Sequence, residues 1–424
     1  MADRFRSFDS LRDALATASF DRPPAFVCNA HITGLGVSRA LSAAGVPVVA
    51  LDRTEEGVAH PSAAVDYAGE VTYPLDDRDG FAADLATLAD ALDHEPVLFT
   101  CMDEWVHAAR ETRPDGVRLS FEPDAVETVL DKESLYAIAA DLGVPTPETY
   151  RLAETRDGTD PTPAGVEPLP TLDAETAAER LGFPLVCKPA RKRAFEEAVG
   201  TNVLEVTDAD EFAEAVAAAT DAGVRLMAQQ RVDAVPGADR SLASYVAPDG
   251  DPLAVVGNAR RRHPQPFGTS CVVERVDDPD LRERALSVLS ETGYHGISEA
   301  EFVRDPERDD HLLLDVNTRP WKWIAMPVAA GANLPLAAYR DAVGAETDER
   351  TPDPDAEVRW LSTRDYLASL TEGEPDLLSE SAWASLATGG DDELVPAVYD
   401  PEDSGPIARL LRTEFGDEEY YCSC

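Results

Sequence analysis

Two neighbouring segments, ISEAEFV and LLLDVNTRP, carry oxygen-bearing side chains at alternate positions. In a strand, successive side chains point to opposite faces, so Glu299 and Glu301 share one face of the first segment. Asp315 and Asn317 share a face of the second by the same rule. The run DPERDD between them predicts an antiparallel hairpin that brings the four side chains together. Carboxylates packed in this way cannot all ionise without a cation, and hard oxygen ligands indicate a Mg²⁺ site.

A solvated acidic surface is the alternative interpretation, because Asp and Glu account for 81 of the 424 residues. Two features favour the metal site. The second segment ends in Asn-Thr-Arg-Pro-Trp rather than in further charge. The alternation also places Leu314 and Val316 together on an apolar opposite face, with Leu313 on the acidic one. An apolar opposite face suits a strand that lines a cleft.

Lysine is rare in this chain, which makes each one informative. The four lysines are Lys132, Lys188, Lys192 and Lys322. Lys132 lies in the first turn of a predicted amphipathic helix, where a cation opposes the helix dipole at a cost of about 0.3 kcal/mol or more. Lys188 ends the strand of FPLVCKP, a usual position for a side chain that projects into a site. Either lysine alone fits ordinary surface charge, but together they are half of the lysines.

The net charge of −44 disfavours binding to nucleic acid or to anionic membranes. No basic run is longer than Arg191-Lys192-Arg193 or Arg260-Arg261-Arg262. An acidic surface with few lysines predicts a protein from a halophile, since concentrated salt screens the repulsion between carboxylates. A GC-rich genome would explain part of the preference for arginine.

The chain offers no signal for a membrane or a disulfide framework. Its N-terminus lacks an apolar signal core, and no run of about 18 apolar residues occurs. The six cysteines form no Cys-x-x-Cys pair, and only Cys422 and Cys424 are close in sequence. We therefore expect a soluble, cytoplasmic protein with free thiols.

The order of predicted elements divides the chain into three regions. Residues 1–125 alternate strands and helices, which predicts a doubly wound parallel α/β domain. Residues 126–345 mix antiparallel hairpins with helices and are α+β in character, with a Pro- and Gly-rich exposed insertion at about 151–175. Residues 346–424 contain short elements between acidic loops and are predicted to form a small C-terminal lobe and tail.

Five segments, taken in order, resemble the ATP-grasp ligases, which join a carboxylate to an amine. The segments are LDKESLYAIAADLGVPTP, FPLVCKPA, LMAQQRVDAVPGAD, GISEAEFV and LLLDVNTRPW, and together they span about residues 130–330. The resemblance is to carboxylate–amine ligases such as D-aspartate ligase and to the large chain of carbamoyl-phosphate synthase. It implies a two-lobed ATP-grasp domain that follows a pre-ATP-grasp α/β domain.

The resemblance also implies residue roles. Lys132 and Lys188 match lysines that hold the nucleotide phosphates, and Arg319 matches the arginine that steadies the transferring phosphoryl group. Asp239 matches the acid that binds the ribose hydroxyls. The linker that reads adenine comprises Gln229, Gln230, Arg231 and Val232. The ligands of Mg²⁺, or of Mn²⁺, are Glu301, Asp315 and Asn317, with Glu299 as an additional candidate.

Three positions depart from the pattern of that family. Asp315 stands where a glutamate is frequent, and Gln230 stands where the linker often has an acid. The loop after Lys188 lacks the glycines that many members fold over the phosphates, so residues 191–193 (Arg-Lys-Arg) would substitute with charge. The resemblance implies substrate-binding residues in NARRRHPQPFGTS, a basic stretch suited to an anionic carboxylate, and the alternative is that these arginines pair with surface acids. The candidates there are Arg260, Arg262, Gly268 and Thr269.

The activity implied is formation of an acyl phosphate from ATP and a carboxylate, followed by capture by an amine with release of ADP and phosphate. The partners would be these small molecules and, as in many members, a second copy in a homodimer. An NAD(P)-dependent oxidoreductase is the alternative, because Gly34 and Gly36 follow a strand and Asp52 ends the next. Arg39 replaces the third glycine of that fingerprint. A non-catalytic ATP-binding module is a third possibility.

Overall fold

The computed structural model describes residues 5–156, 161–190, 203–248, 252–265, 268–345, 352, 356–389 and 393–415. The charged loop 191–193 therefore lies outside the described residues. The same is true of Cys422 and Cys424 and of part of the insertion predicted at 151–175. The four cysteines within the described ranges are buried free thiols. No helix of these ranges is long and apolar enough to cross a membrane.

Short apolar runs form a parallel sheet near the N-terminus. AFVC, VVALD and VLFT are buried along their whole length, as expected for strands covered by helices on both faces. The strands are β1 (Phe5–Arg6), β2 (Ala25–Cys28), β3 (Val48–Asp52), β4 (Tyr67–Glu70), β5 (Val97–Thr100) and β6 (Arg118–Leu119), in the order β1-β4-β3-β2-β5-β6. The helices are α1 (Phe8–Leu15), α2 (Ile32–Ser42), α3 (Arg78–Asp90) and α4 (Asp103–Thr112). The doubly wound domain is confirmed.

A second sheet has its own hydrophobic core, formed by residues such as Leu185, Phe212 and Ala228. Two helices precede it, α5 (Val126–Leu130) and α6 (Lys132–Asp141). Its strands are β7 (Thr149–Leu152), β8 (Thr171–Leu172), β9 (Leu185–Pro189), β10 (Leu204–Val206) and β11 (Leu226–Gln230), in the order β10-β9-β11-β7-β8. The helices α7 (Ala174–Leu181) and α8 (Ala209–Asp221) complete it. The predicted exposed insertion connects β7 to β8, yet Arg151 and Thr155 within it are buried.

A third sheet contains the predicted acidic hairpin, formed by β15 and β16. Its strands are β12 (Asp239–Val246), β13 (Pro252–His263), β14 (Thr269–Val276), β15 (Gly296–Asp305), β16 (Asp310–Asn317), β17 (Arg359–Leu361) and β18 (Leu394–Pro396). The strand order is β16-β15-β12-β13-β14-β17-β18. Its helices are α9 (Pro279–Thr292), α10 (Ala325–Ala329), α11 (Leu334–Ala342), α12 (Thr363–Thr371), α13 (Glu380–Ala387) and α14 (Ser404–Phe415).

The third sheet packs with the first and takes in the end of the chain. Leu98 of the first sheet and Val316 of the third belong to one hydrophobic core. The region predicted as a small C-terminal lobe contributes β17 and β18, and β17 pairs antiparallel with β14. The first and third sheets thus form one packed body, and the second sheet is a lobe with a separate core. The predicted combination of α/β and α+β architecture is confirmed.

Candidate active site

The hairpin of β15 and β16 has the register that the sequence predicts for its polar residues. Glu299 lies opposite Asn317, and Glu301 lies opposite Asp315. A bulge follows, because Phe302 pairs with Leu313 rather than Leu314. Because of the extra residue, the Leu313 side chain points into the hydrophobic core that also contains Val316. The prediction that Leu313 lies on the acidic face is therefore wrong. A strict period of two does not survive a bulge.

Asn317 holds the two glutamates together. Its Nδ2 donates to Glu301 Oε1 at 2.8 Å and lies 3.3 Å from Glu299 Oε2. The indole Nε1 of Trp323 donates to Glu299 Oε1 at 3.0 Å. Burial, and then the negative charge of Glu301, raises the pKa of Glu299 to about 8. Glu299 and Glu301 therefore do not both ionise readily at neutral pH unless a cation lies near them.

Both predicted phosphate lysines reach the same stretch of β16 from different elements. The Nζ of Lys132, in the first turn of α6, lies 2.5 Å from Asp315 Oδ1. The Nζ of Lys188, on β9, lies 3.5 Å from the hydroxyl of Tyr136, which donates to the Leu314 carbonyl at 2.7 Å. One ammonium group thus contacts the acidic hairpin (β15 and β16) directly, and the other is linked to it through Tyr136.

Arg319 follows the hairpin and contacts α4, one of the helices that pack on the first sheet. Its Nε donates to Asp103, its Nη2 lies 3.5 Å from the other Asp103 oxygen, and its Nη1 donates to the Pro320 carbonyl at 3.1 Å. Burial lowers the pKa of Arg319, but the carboxylates of Asp103, Glu299 and Glu301 together outweigh it, and the pKa is raised above its ordinary value. Asp103 begins α4 directly after β5, at the edge where parallel sheets bind ligands.

The oxygen donors of the hairpin fit Mg²⁺. Glu299 and Glu301 supply two carboxylates, and Asn317 can supply an amide oxygen, which are hard ligands of the kind that Mg²⁺ prefers. In the described part of the chain, no group of three or more Asp, Glu, His or Cys side chains is gathered closely enough to hold a metal ion. Asp315 is instead paired with Lys132, and Arg262 approaches Glu301 at 3.6 Å.

Arg262 is the predicted substrate residue that lies closest to this cluster. Its Nε is 3.1 Å from Asp239 Oδ2, so it joins the predicted ribose-binding acid to Glu301. Its Nη1 lies 3.5 Å from the Gly268 carbonyl. Burial raises the pKa of Asp239, and Arg262 opposes that effect. Asp239 is thus already paired with Arg262. To bind a ribose as predicted, the Asp239 carboxylate would have to contact the ribose hydroxyls and Arg262 at the same time.

The other substrate candidates lie elsewhere. Arg260 is largely exposed and approaches Glu274 at 3.5 Å, and the β13–β14 pairing is irregular between Ala259 and Arg262. Arg260 is therefore not brought to the acidic hairpin. The hydroxyl of Thr269 accepts a hydrogen bond from Lys322 Nζ at 3.1 Å. Lys322 also pairs with Asp365 on α12.

The predicted adenine linker runs from the end of β11. The Gln229 amide is buried and donates to Thr149 Oγ1 at 2.9 Å, within the second sheet. The Gln230 Oε1 accepts from Arg308 Nη2 at 2.9 Å, in the turn of the acidic hairpin. Val232 is half-buried just beyond the strand. The side chain of Gln230 thus ties the second sheet to the third.

Sequence reasoning did not single out three residues at this site, Asp103, Tyr136 and Trp323, or Lys322, which lies beside Thr269. Asp103 and Tyr136 contact predicted site residues from other elements, so no local spacing could reveal them. Trp323 and Lys322 follow Arg319 closely in NTRPWKW. The scarcity of lysine was the one signal that pointed to Lys322.

The glycines of the alternative dinucleotide fingerprint have packing roles. A Cβ on Gly34 would lie 2.6 Å from the Asn29 carbonyl oxygen, and a Cβ on Gly36 would lie 2.7 Å from Ile324 Cγ2. Both distances are too short for a Cβ, so the packing of α2 requires glycine at these two positions. Arg39 donates to Asp403 at 3.0 Å and so fixes the C-terminal segment. Asp52 accepts from the Ala30 backbone amide at 2.8 Å.

Comparison with known proteins connects this geometry to a fold. The sequence matches no protein-family model and no curated protein. Among solved structures, the N5-carboxyaminoimidazole ribonucleotide synthetase from Thermus thermophilus is 18% identical, with a TM-score of 0.55 and coverage of 79% of this chain and 82% of that chain. The L-amino acid ligase from Bacillus licheniformis is 15% identical, with a TM-score of 0.52 and coverage of 77% of this chain and 75% of that chain.

The biotin carboxylase domain of the Hydrogenobacter thermophilus 2-oxoglutarate carboxylase is also similar. It is 16% identical, with a TM-score of 0.58, and the match covers 78% of this chain and 72% of that chain. That structure is a domain dimer in complex with MgADP, ADP and bicarbonate. This chain has the ATP-grasp fold. In this fold, Lys132 of α6 pairs with Asp315 of the acidic hairpin, and Lys188 of the second sheet lies beside Tyr136, which is hydrogen-bonded to that hairpin.

Proposed function

We propose that the protein is an ATP-dependent ligase that joins a carboxylate to an amine through an acyl phosphate, with release of ADP and phosphate. One observation carries the proposal: Lys132 pairs with Asp315 of an acidic hairpin that is followed by Arg319, and Lys188 lies beside Tyr136, which is hydrogen-bonded to the same hairpin. Phosphoryl transfer needs positioned cations to neutralise the phosphates, and this arrangement supplies them. The similarity in fold to an L-amino acid ligase supports the same class of reaction.

The predicted phosphate-binding and metal-binding residues have separate roles in this proposal. Lys132 and Lys188 bind the phosphates of ATP as point charges. Glu301, Asp315 and Asn317 hold Mg²⁺ or Mn²⁺, with Glu299 next to them. A bound divalent ion supplies neutralisation of phosphate charge. Because Lys132 is paired with Asp315, we propose that a phosphate replaces Asp315 as its partner and frees that carboxylate for the metal.

The chemical steps involve two bond exchanges. A substrate carboxylate oxygen attacks the γ-phosphorus, the bond to the β–γ bridging oxygen breaks, and ADP leaves. The amine nitrogen then attacks the acyl carbon, and inorganic phosphate departs as the amide forms and the amine loses a proton. Arg319, whose guanidinium stays charged, steadies the transferring phosphoryl group. Arg262 is the candidate for binding the substrate carboxylate, since it extends to the hairpin.

Formation of ADP in the presence of paired acids and amines tests this proposal. We expect ADP formation from Mg-ATP to depend on both an acid and an amine, because the acyl phosphate needs the first and its breakdown needs the second. The assay is a screen of acid and amine pairs in multimolar KCl, with calorimetric titration of Mg-ATP and of NADH alongside. Acid and amine are then identified by mass spectrometry of the product.

Two other outcomes would contradict the ligase. Binding of NADH without binding of Mg-ATP would favour the oxidoreductase, although Arg39 and the packed glycines argue against it. Binding of Mg-ATP with no ADP formation across a broad panel of acids and amines would favour a non-catalytic nucleotide-binding module. Retention of Lys132, Lys188 and Arg319 at one site favours catalysis over that module.

A further inference from the structure

A cluster of buried charges lies between α6 and the second sheet, and the reaction proposed above does not use it. Its side chains are Asp131, Glu133, Arg151, Arg156 and Arg225. Asp131, Glu133, Arg151 and Arg225 are each less than 10% exposed. Burying charged side chains is costly, and an ion pair adds stability only when its geometry is excellent. In some proteins such clusters serve instead to specify one arrangement of the surrounding elements.

Arg225 is the centre of this cluster. Its Nη2 lies 2.5 Å from Asp131 Oδ2, and its Nη1 donates to Glu133 Oε2 at 2.8 Å. Arg151 approaches the same Glu133 oxygen at 3.3 Å. Asp131 also caps α6, because its other oxygen accepts from the Glu133 amide at 3.1 Å. One guanidinium fork therefore grips two carboxylates at the start of α6.

The backbone around Arg225 completes the link to both phosphate lysines. The Arg225 carbonyl accepts from the Ala190 amide at 3.0 Å, and the Ala190 carbonyl accepts from the Lys132 amide at 3.1 Å. Ala190 follows Lys188 by two residues, at the end of β9. Lys132 stands between the two acids that Arg225 grips. Arg225, just before β11, is thus hydrogen-bonded through its side chain to the segment that carries Lys132. Through its backbone carbonyl it is hydrogen-bonded to Ala190, in the segment that carries Lys188.

We infer that Arg225 is a positioning residue that fixes Lys132 relative to Lys188 and so shapes the binding site for the triphosphate. The inference rests on the proposed function, because it assumes that both lysines bind phosphate. Arg225 acts through the two lysines and does not contact the nucleotide itself. Arg225 bonds to Asp131 and Glu133 through two different nitrogens of one planar fork, so lysine at this position keeps the charge and loses that geometry.

The test compares Arg225→Lys with Arg284→Lys as a matched control. Arg284 lies on α9 and pairs with Asp310, away from the two lysines. Calorimetry measures the Kd for Mg²⁺ with a non-hydrolysable ATP analogue, which needs no knowledge of the acid or the amine. We expect Arg225→Lys to raise Kd about tenfold, which is about 1.4 kcal/mol, with no change for Arg284→Lys. Thermal unfolding of each variant is recorded in parallel.

A double-mutant cycle with Lys132→Met separates positioning from general destabilisation. If Arg225 acts through Lys132, the Arg225→Lys substitution should change Kd much less once Lys132 is absent, so the two effects are not additive. Additive effects on Kd, or an unchanged Kd with a lowered unfolding temperature, would overturn the inference. Glu133→Gln provides a second variant and should weaken binding in the same non-additive way.

Failure of this inference is distinguishable from failure of the proposed function. If the unsubstituted protein does not bind the Mg²⁺–analogue complex at all, the ligase proposal falls and the role of Arg225 falls with it. If the unsubstituted protein binds and Arg225→Lys and Glu133→Gln bind equally well, only the positioning role is wrong. If Arg225 had only a structural role, Arg225→Lys would lower the unfolding temperature with or without Lys132→Met. The effects of the two substitutions on Kd would then be additive.

Discussion

Substitution of Asn317 by alanine is expected to lower ADP formation at least about 100-fold while the protein stays folded, the scale expected when one electrostatic contact to the reacting groups is removed. Asn317 Nδ2 contacts both Glu299 and Glu301, and its amide oxygen is a proposed metal ligand. Alanine removes that ligand and leaves two neighbouring carboxylates without their shared donor. The measurement is the steady-state rate of ADP formation with the acid and amine pair found in the screen.

Ser298→Ala is the control for this substitution. Ser298 is buried on the same strand, faces away from the acidic side chains, and pairs with Ser244 at 2.9 Å. Its loss should cost about 1 kcal/mol in the free energy of unfolding, as for a typical hydrogen bond, and leave turnover unchanged. Equal turnover for Asn317→Ala and the unsubstituted protein would show that Asn317 has no role in the reaction.

Substitution of Arg319 by alanine is expected to lower kcat about 1,000-fold, the lower end of the effect of an arginine that stabilises a transferring phosphoryl group. The Kd for the Mg²⁺–ATP analogue should change only a few-fold, because Lys132 and Lys188 carry the ground-state phosphate contacts. An effect on kcat without a comparable effect on binding is the sign of a contact made in the transition state. Rapid-quench and calorimetric measurements separate the two quantities.

Arg304→Ala is the matched control, since Arg304 lies on the same hairpin and pairs with the exposed Asp309. Exposed ion pairs contribute about 0–1 kcal/mol, so this variant should keep both stability and kcat. If Arg319→Ala and Arg304→Ala behave alike, Arg319 has no role in phosphoryl transfer. If Arg319→Ala raises the Kd and leaves kcat unchanged, its role is in binding ATP.

Local pattern was sufficient for much of the fold. The buried runs AFVC and VLFT predict parallel strands because only strands covered on both faces are apolar throughout. The acidic hairpin was also readable, since alternation and a short turn fix which residues face each other. Glu299 does lie opposite Asn317, and Glu301 opposite Asp315. Leu313 was misplaced because a bulge is set by packing in three dimensions and leaves no mark in the local period.

Long-range contacts account for what the sequence could not provide. Asp103 reaches Arg319 across 216 positions of sequence, and Arg225 reaches Asp131 across 94. Neither pair has a spacing that local reasoning can use. Arg260 and Arg262 were treated alike because both belong to one basic run, yet the irregular pairing of β13 sends only Arg262 to the hairpin. Which member of a charged run faces a site is decided by the neighbouring strand.

The most direct test of the account is a crystal structure of the chain with Mg²⁺ and a non-hydrolysable ATP analogue. We predict that Lys132 Nζ leaves Asp315 and contacts a phosphate oxygen, that Lys188 contacts the phosphates as well, and that Mg²⁺ is bound by Asp315, Glu301 and Asn317. A complex in which the nucleotide binds elsewhere while Lys132 and Asp315 remain paired at 2.5 Å would contradict it.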